Sequence, residues 1–157
     1  MKKIVLISVF FLFLSCEKDD VCIDGVTPKL KVEFFTKKKT SKGRDIDQKK
    51  HLTDLTVIWK DTTDTIIKDS KNVQSVDLKL DFTKNHTEFV FITGENKDTI
   101  KVKYNRKPVF VSKACGYKIT FNNPKFEYSK NLIKEIKLVE TGMNITVDDE
   151  THVKIYY

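Results

Sequence analysis

The amino-acid sequence predicts an all-β fold: an antiparallel β-sandwich of about eight or nine short strands, Ig-like or transthyretin-like, with a small barrel as the alternative. Three observations point there. Apolar and polar residues alternate with period two in most segments after residue 27. Turn residues return about every 8–15 positions. No stretch beyond the N-terminal apolar run carries a convincing helical period.

The elements follow in order. Thr27-Pro28 opens the first strand, in which Leu30, Val32 and Phe34 alternate with Lys29, Lys31 and Glu33. Residues 36–50 have no apolar period and contain Gly43, so they read as a long exposed loop. Leu55, Val57 and Trp59 form the next strand, Asp61-Thr62-Thr63-Asp64 a turn, and Thr65-Ile66-Ile67 a short strand. Val76, Leu78, Leu80 and Phe82 alternate with Asp77, Lys79 and Asp81, and Phe89 and Phe91 continue the pattern up to Gly94. Gly94-Glu95-Asn96-Lys97 reads as a hairpin turn into Ile100, Val102 and Tyr104. Pro108 is expected to start a further strand. Lys113-Ala114-Cys115-Gly116 breaks it as a bulge, and Tyr117, Ile119 and Phe121 resume it. Asn122-Asn123-Pro124 reads as a turn. Residues 131–140 fit either a helix face or a strand, and the β-rich surroundings favour a strand. Val153, Ile155 and Tyr157 close the chain.

The N-terminus has a different character. Lys2 and Lys3 precede an apolar run from residue 4 to 14, the pattern of a secretory leader. Eleven helical residues reach about 16 Å, short of a bilayer core of about 30 Å. The run ends in Phe13-Leu14-Ser15-Cys16, which resembles a bacterial lipobox, although Phe13 stands where an aliphatic residue is usual. The resemblance implies diacylglyceryl transfer to Cys16, cleavage after Ser15 and acylation of the new amine, hence stable anchoring by more than one chain. An ordinary leader with an incidental cysteine is the alternative. Lys18, Asp19 and Asp20 resemble the export signal of surface lipoproteins in Bacteroidetes; otherwise they are a solvated acidic tether. The expected organisation is a leader over 1–15, lipidated cysteine and tether over 16–27, and one β-sandwich domain over 28–157.

The formal net charge is +7, and +5 once Lys2 and Lys3 leave. Residues 36–50 carry Lys37, Lys38, Lys39, Lys42, Arg44, Lys49 and Lys50 against Asp45 and Asp47, which puts the whole excess in one local patch. Such a patch concentrates anions. An anionic envelope glycan or lipopolysaccharide phosphate is the expected ligand, and a merely solubilising loop the alternative. Nucleic acid is not expected, since no aromatic residue interleaves these cations. With Cys16 assigned to lipid, Cys22 and Cys115 remain as a pair in an oxidising compartment and are expected to be bridged. Such a closure, spanning 93 residues, is worth roughly 4–5 kcal/mol in the chain-entropy model. Two buried thiols are the alternative.

Larger segments carry a family resemblance. They are the Cys16-Glu17-Lys18-Asp19-Asp20 start, Thr27-Pro28-Lys29-Leu30 with Phe34-Phe35, the run from Arg106 to Tyr117, and the ending from Glu150 to Tyr156. They are similar to a family of small Bacteroidetes outer-membrane lipoproteins of unknown function. The resemblance implies an envelope location and a β-rich domain, and carries no activity with it.

The sequence contains no G-x-S-x-G and no H-E-x-x-H, and His51, His86 and His152 lack metal-ligand spacing. Asp148-Asp149-Glu150 lacks the oxygen pattern of a calcium loop. No catalytic residue, metal or cofactor is expected. Thr62, Thr65 and Thr99 each follow an aspartate, resembling Asp-Ser/Thr-aliphatic O-glycosylation sites, though Asp-Thr is also ordinary turn chemistry. The expected function is that of a non-enzymatic outer-membrane surface lipoprotein, a binding or accessory module for an envelope component. The periplasmic face is the alternative location. Its partners would be the bilayer, through Cys16, and an outer-membrane β-barrel or anionic glycan. An enzyme or enzyme inhibitor acting on envelope glycan or protein is the alternative.

Overall fold

The computed structural model describes residues 27–62, 64–147 and 149–157. The leader, Cys16, the Lys18-Asp19-Asp20 signal and Cys22 lie outside the described residues. Eleven strands follow one another among the described residues. They are β1 (Leu30–Lys39), β2 (Asp45–Lys49), β3 (Leu55–Trp59), β4 (Thr65–Ser70), β5 (Ser75–Leu78) and β6 (His86–Thr93). After them come β7 (Asn96–Ser112), β8 (Gly116–Tyr128), β9 (Glu135–Leu138), a single 3-10 turn (Glu140–Met143), β10 (Asn144–Ile145) and β11 (Val153–Tyr156).

The strands form two sheets. In the first, β1 is central: β5 pairs with its first half and β2 with its second, both antiparallel, while β11 runs parallel along its other edge and carries β9. The second sheet has the order β10-β8-β7-β6-β3-β4 and is antiparallel throughout. Neither sheet closes, so the architecture is a sandwich and not a barrel. Alternation sends Leu30, Val32 and Phe34 of β1 and Val153 and Ile155 of β11 inward. They meet Leu55, Val57, Phe89, Phe91, Ile100 and Val102 from the second sheet. Phe34 stands edge-on to Phe91 at 6.4 Å and to Tyr157 at 5.8 Å, joining the two layers.

Several sequence expectations are corrected. Residues 36–50 are not a long loop: β1 runs on to Lys39 and β2 returns beside it, around a turn in which Gly43 has φ 73°. Apolar period is missing because this part of β1 and all of β2 lie at the sheet edge, with solvated side chains. Pro108 does not start a strand. It sits inside the 17-residue β7, opposite Ile119, where β7 no longer has β6 as a neighbour and the missing N–H costs no ladder bond. Lys113-Ala114-Cys115 is not a bulge in one strand but the reversal between β7 and β8, completed by Gly116 at φ 69°. Asn122-Asn123-Pro124 lies inside β8; Asn123 at φ 50°, opposite a shift in register, forms an irregularity that the pairing absorbs. Residues 135–138 are indeed a strand, and the turn at Gly94-Glu95 is a two-residue hairpin closed by Thr93 and Asn96. Phe82 does not continue the inward series; it is 57% exposed.

Candidate functional site

The basic segment expected to act as one patch is divided by the pleat. Lys37, Lys39 and Lys49 share the outer face of the first sheet with Phe35, while Lys38 alternates to the other side. On that outer face Phe35 and Tyr156 pack at 5.9 Å and are almost fully buried. Their cover is cationic: Lys37 and Lys137 each stand 5.4 Å from the Tyr156 ring and Lys154 is 4.7 Å from Phe35. Carboxylates from elsewhere in the chain match these charges. Lys37 donates to Glu135 at 2.9 Å, Lys49 to Glu33 at 3.1 Å and Lys154 to Asp47 at 3.3 Å. The Tyr156 hydroxyl donates to Asp47 at 2.7 Å. That bond first, and Lys154 after it, hold the Asp47 carboxyl below its ordinary range against the pull of burial. The hydrogen bond from Lys37 holds Glu135 low in the same way.

A cleft opens at the end of the sandwich where β6 passes into β7. It has a volume of about 610 Å³ and is lined by Lys50, His51, Lys130, Lys134, Leu132 and Tyr157 among others. A second hollow of about 470 Å³ shares Lys130, Lys134 and Tyr157 and adds Lys37 and Glu135. Lys50 stands 5.6 Å from the Tyr157 ring, and Lys130 5.9 Å from the Tyr128 ring. The Tyr157 hydroxyl is buried without a hydrogen-bond partner, and burial raises its pKa. One wall of the cleft is the segment after β8, and buried Asp98 at the start of β7 fixes it. The Asp98 carboxylate accepts from Ser129 Oγ at 2.6 Å and from the backbone N–H groups of Asn131, Leu132 and Ile133 at 2.8, 2.8 and 3.1 Å. Burial pushes this carboxyl up, but the four hydrogen bonds outweigh it and the net shift is downward.

The opposite end of β7 carries a surface that the sequence reading missed. Past Lys103, β7 has only β8 beside it, so Arg106 to Ser112 and Gly116 to Phe121 form a two-stranded ribbon. Phe110 and Tyr117 face each other across it at 5.3 Å, 55% and 70% exposed. Arg106 anchors its base, donating through Nε to Asn85 Oδ1 at 2.9 Å and through Nη1 to the Phe82 carbonyl at 2.8 Å. A sequence signal was present: residues 99–126 contain seven Lys and Arg and no Asp or Glu. The basic character is therefore not confined to residues 36–50. Of the seven, Lys101 and Lys103 pair with Glu88 and Glu127 on the flat of the sheet. The other five form no ion pair among the described residues.

The remaining site residues are dispersed. Cys115 lies at the ribbon's tip, its backbone N–H bonded to Ser112 Oγ at 3.0 Å. Thr62 and Thr65 are exposed at the β3–β4 turn, whereas Thr99 is half-buried mid-sheet and the Asp98 before it is committed to the cleft wall. His152 is buried and accepts the Lys31 N–H at 2.9 Å, tying β11 to β1. His51 contacts Gln74 at the cleft edge. The described residues contain no group of three potential metal ligands. No helix among them is long and apolar enough to cross a membrane.

Comparison with known proteins gives one match. A model for a family of unknown function matches residues 54–157, a span that takes in β3 to β11 and the whole ribbon and leaves out β1 and β2. No curated protein and no solved structure matches.

Proposed function

We propose that this chain, which belongs to the family of unknown function DUF6452, is a non-enzymatic binding module, held at the outer membrane by acylated Cys16 and exposed at the cell surface. Its ligand is an anionic envelope glycan, taken in the cleft at the β6–β7 end. The observation that supports this reading is the convergence of Lys50, Lys130 and Lys134 on one concave surface floored by Tyr157. Ammonium groups around a recess suit a glycan that carries a carboxylate or phosphate: the cations meet the charge, and buried Tyr157, with Lys50 over its ring, backs the recess. The perturbed carboxylates Asp98, Glu88 and Asp81 are each engaged by hydrogen bonds or lysines that favour their charged form, which suits structural pairs better than general acids. A Cys22–Cys115 bridge belongs to the same proposal, joining the tether to the ribbon's tip.

Two measurements test it. Palmitate labelling of cells should mark the chain, and Cys16→Ser should release it from the membrane fraction; unchanged fractionation overturns the anchor. Lys130→Gln with Lys134→Gln should weaken binding of purified protein to lipopolysaccharide by about tenfold or more at low salt. Equal binding by the double variant removes the cleft from the proposal.

A further inference from the structure

We propose that the β7–β8 ribbon is a foot that seats the domain on an anionic lipid bilayer. Phe110 and Tyr117 enter the headgroup region, and Lys107, Lys113 and Lys118 meet the phosphates.

Three observations carry this. The first is composition in space. Two large aromatic rings stand out in solvent at the end of a ribbon whose charges are all positive. Lys113 lies at the tip beside the aromatic pair, and Lys107 and Lys118 alternate to the other face of the same narrow ribbon. An aromatic pair flanked by cations is suited to the membrane–water interface, where the ring leaves water and the cations stay at the phosphate level. The second is size. The ribbon has six paired positions from Arg106↔Phe121 to Ser112↔Gly116. One face measures roughly 20 Å by ~10 Å, well short of the ~800 Å² per partner of an ordinary protein interface. A fluid surface sets no such minimum. The third is position. Thr27 and Pro28, where the described chain begins, line a hollow with Trp59 and Phe82. The Phe82 carbonyl takes the guanidinium of Arg106 at the ribbon's base. Chain entry, exposed Phe82 and the ribbon thus share one end of the sandwich. The cleft held by Asp98 lies at the other end of β7, fourteen residues from Ser112, on the order of 40 Å away. Ten residues separate Cys16 from Thr27, and the eleven Cα steps reach at most about 39 Å, so an acyl anchor and the foot can engage one surface while the cleft faces away from it.

The seating rests on the envelope reading only for where the bilayer would be; the ribbon's affinity for lipid is measurable without it. Residues 17–157 include every described strand and neither the apolar leader nor Cys16. This chain should sediment with vesicles of mixed phosphatidylcholine and phosphatidylglycerol at low salt, and not with phosphatidylcholine alone. Phe110→Ser with Tyr117→Ser should weaken that binding by about tenfold or more. Both side chains are exposed, so the thermal midpoint should hold. With Trp59→Phe as background, Phe110→Trp should shift its emission to the blue on adding anionic vesicles. Lys130→Gln with Lys134→Gln should leave vesicle binding intact, which separates the foot from the cleft; palmitate labelling bears on the anchor alone. Wild-type chain left in the supernatant, or equal sedimentation of the double aromatic variant, overturns the proposal. So does loss of binding to a soluble polyanion, but not to vesicles, in that variant.

Discussion

The β1–β2 and β7–β8 hairpins are both edge structures rich in lysine, and they differ in what lies under their charges. Residues 36–50 and residues 99–126 each contain seven cations. In the first, Glu135 and Glu33 pair with Lys37 and Lys49, and Lys37 joins Lys137 and Lys154 as a roof over Phe35 and Tyr156, while the other five cations form no ion pair among the described residues. In the second, Lys101 and Lys103 pair with Glu88 and Glu127 on the sheet, but beyond them the ribbon leaves the sandwich, β10 lies beside only its base at Phe121, and among the described residues no carboxylate comes within ion-pair distance of its tip. Charge along a sequence becomes charge on a surface only where neighbouring strands fail to answer it. A lysine beside other strands is also a hydrophobic cover; a lysine on a free ribbon is a charge in water.

Four experiments would break or sharpen that contrast. The largest effect is expected from Asp98→Ala, which strikes the body common to both hairpins. It leaves three backbone donors, that of Ile133 buried and those of Asn131 and Leu132 part-buried, and a hydroxyl without their acceptor, and should cost on the order of 3 kcal/mol in urea unfolding. The cleft wall should loosen, while any fraction still folded keeps its ribbon-dependent vesicle binding. Loss of both together would show that the ribbon is not independent of the cleft end.

Acid comes next. Asp98, Asp47 and Glu135 have folded pKa values below their ordinary ones, and Glu88, bonded by Lys101 and Lys60, is held at about 2. Groups lowered on folding stabilise fully above their unfolded values near pH 4, and that stabilisation is lost as pH falls through the folded values. Stability should therefore be flat above about pH 5 and decline steadily toward pH 2. Over the same window the β1–β2 lysines lose their carboxylate partners and retention on an anionic resin should rise. Among the described residues the ribbon tip has no acid to titrate, so its own side chains should contribute no change.

A smaller effect is expected from charge removal at neutral pH. Lys107→Gln, Lys113→Gln and Lys118→Gln together should lower the salt slope of resin binding by about one per cation. Lys37→Gln with Lys49→Gln, already matched within the fold, should lower it less; equal slopes would dissolve the contrast. The smallest effect is expected from Glu135→Gln. It frees Lys37, so elution should move slightly later in salt with no measurable change in melting, since exposed pairs add little.

How much of this was legible depended on the kind of signal. Alternation at Leu30-Val32-Phe34, Leu55-Val57 and Ile100-Val102 gives the strands directly, because one face of each is dry and the period is two. Residues 45–49 carry no such signal, because neither face of β2 is buried. Pro108 and Pro124 misled the reading: a proline ends a strand only where its N–H would be needed by a neighbour, and that depends on sheet order. Asp98 looked like half of a modification motif because its acceptor role requires residues 129–133, thirty positions on. Tyr117 alternates with Ile119 and Phe121 along the sequence yet stands exposed beside Phe110, since a sequence shows apolar residues without showing what covers them.

The sequence alone determined that most segments after residue 27 are pleated strands, which of their side chains share a face, and that the chain carries an excess of positive charge. These depend on local alternation and on sums that folding cannot alter. Tertiary structure decided which lysines stay charged toward solvent, that β11 runs parallel to β1, and that a cleft and a bare aromatic ribbon stand at opposite ends of one strand. Each of these is a relation between residues far apart in the chain. Alternation fixes the face a side chain takes, and only the assembled sheets fix its neighbours.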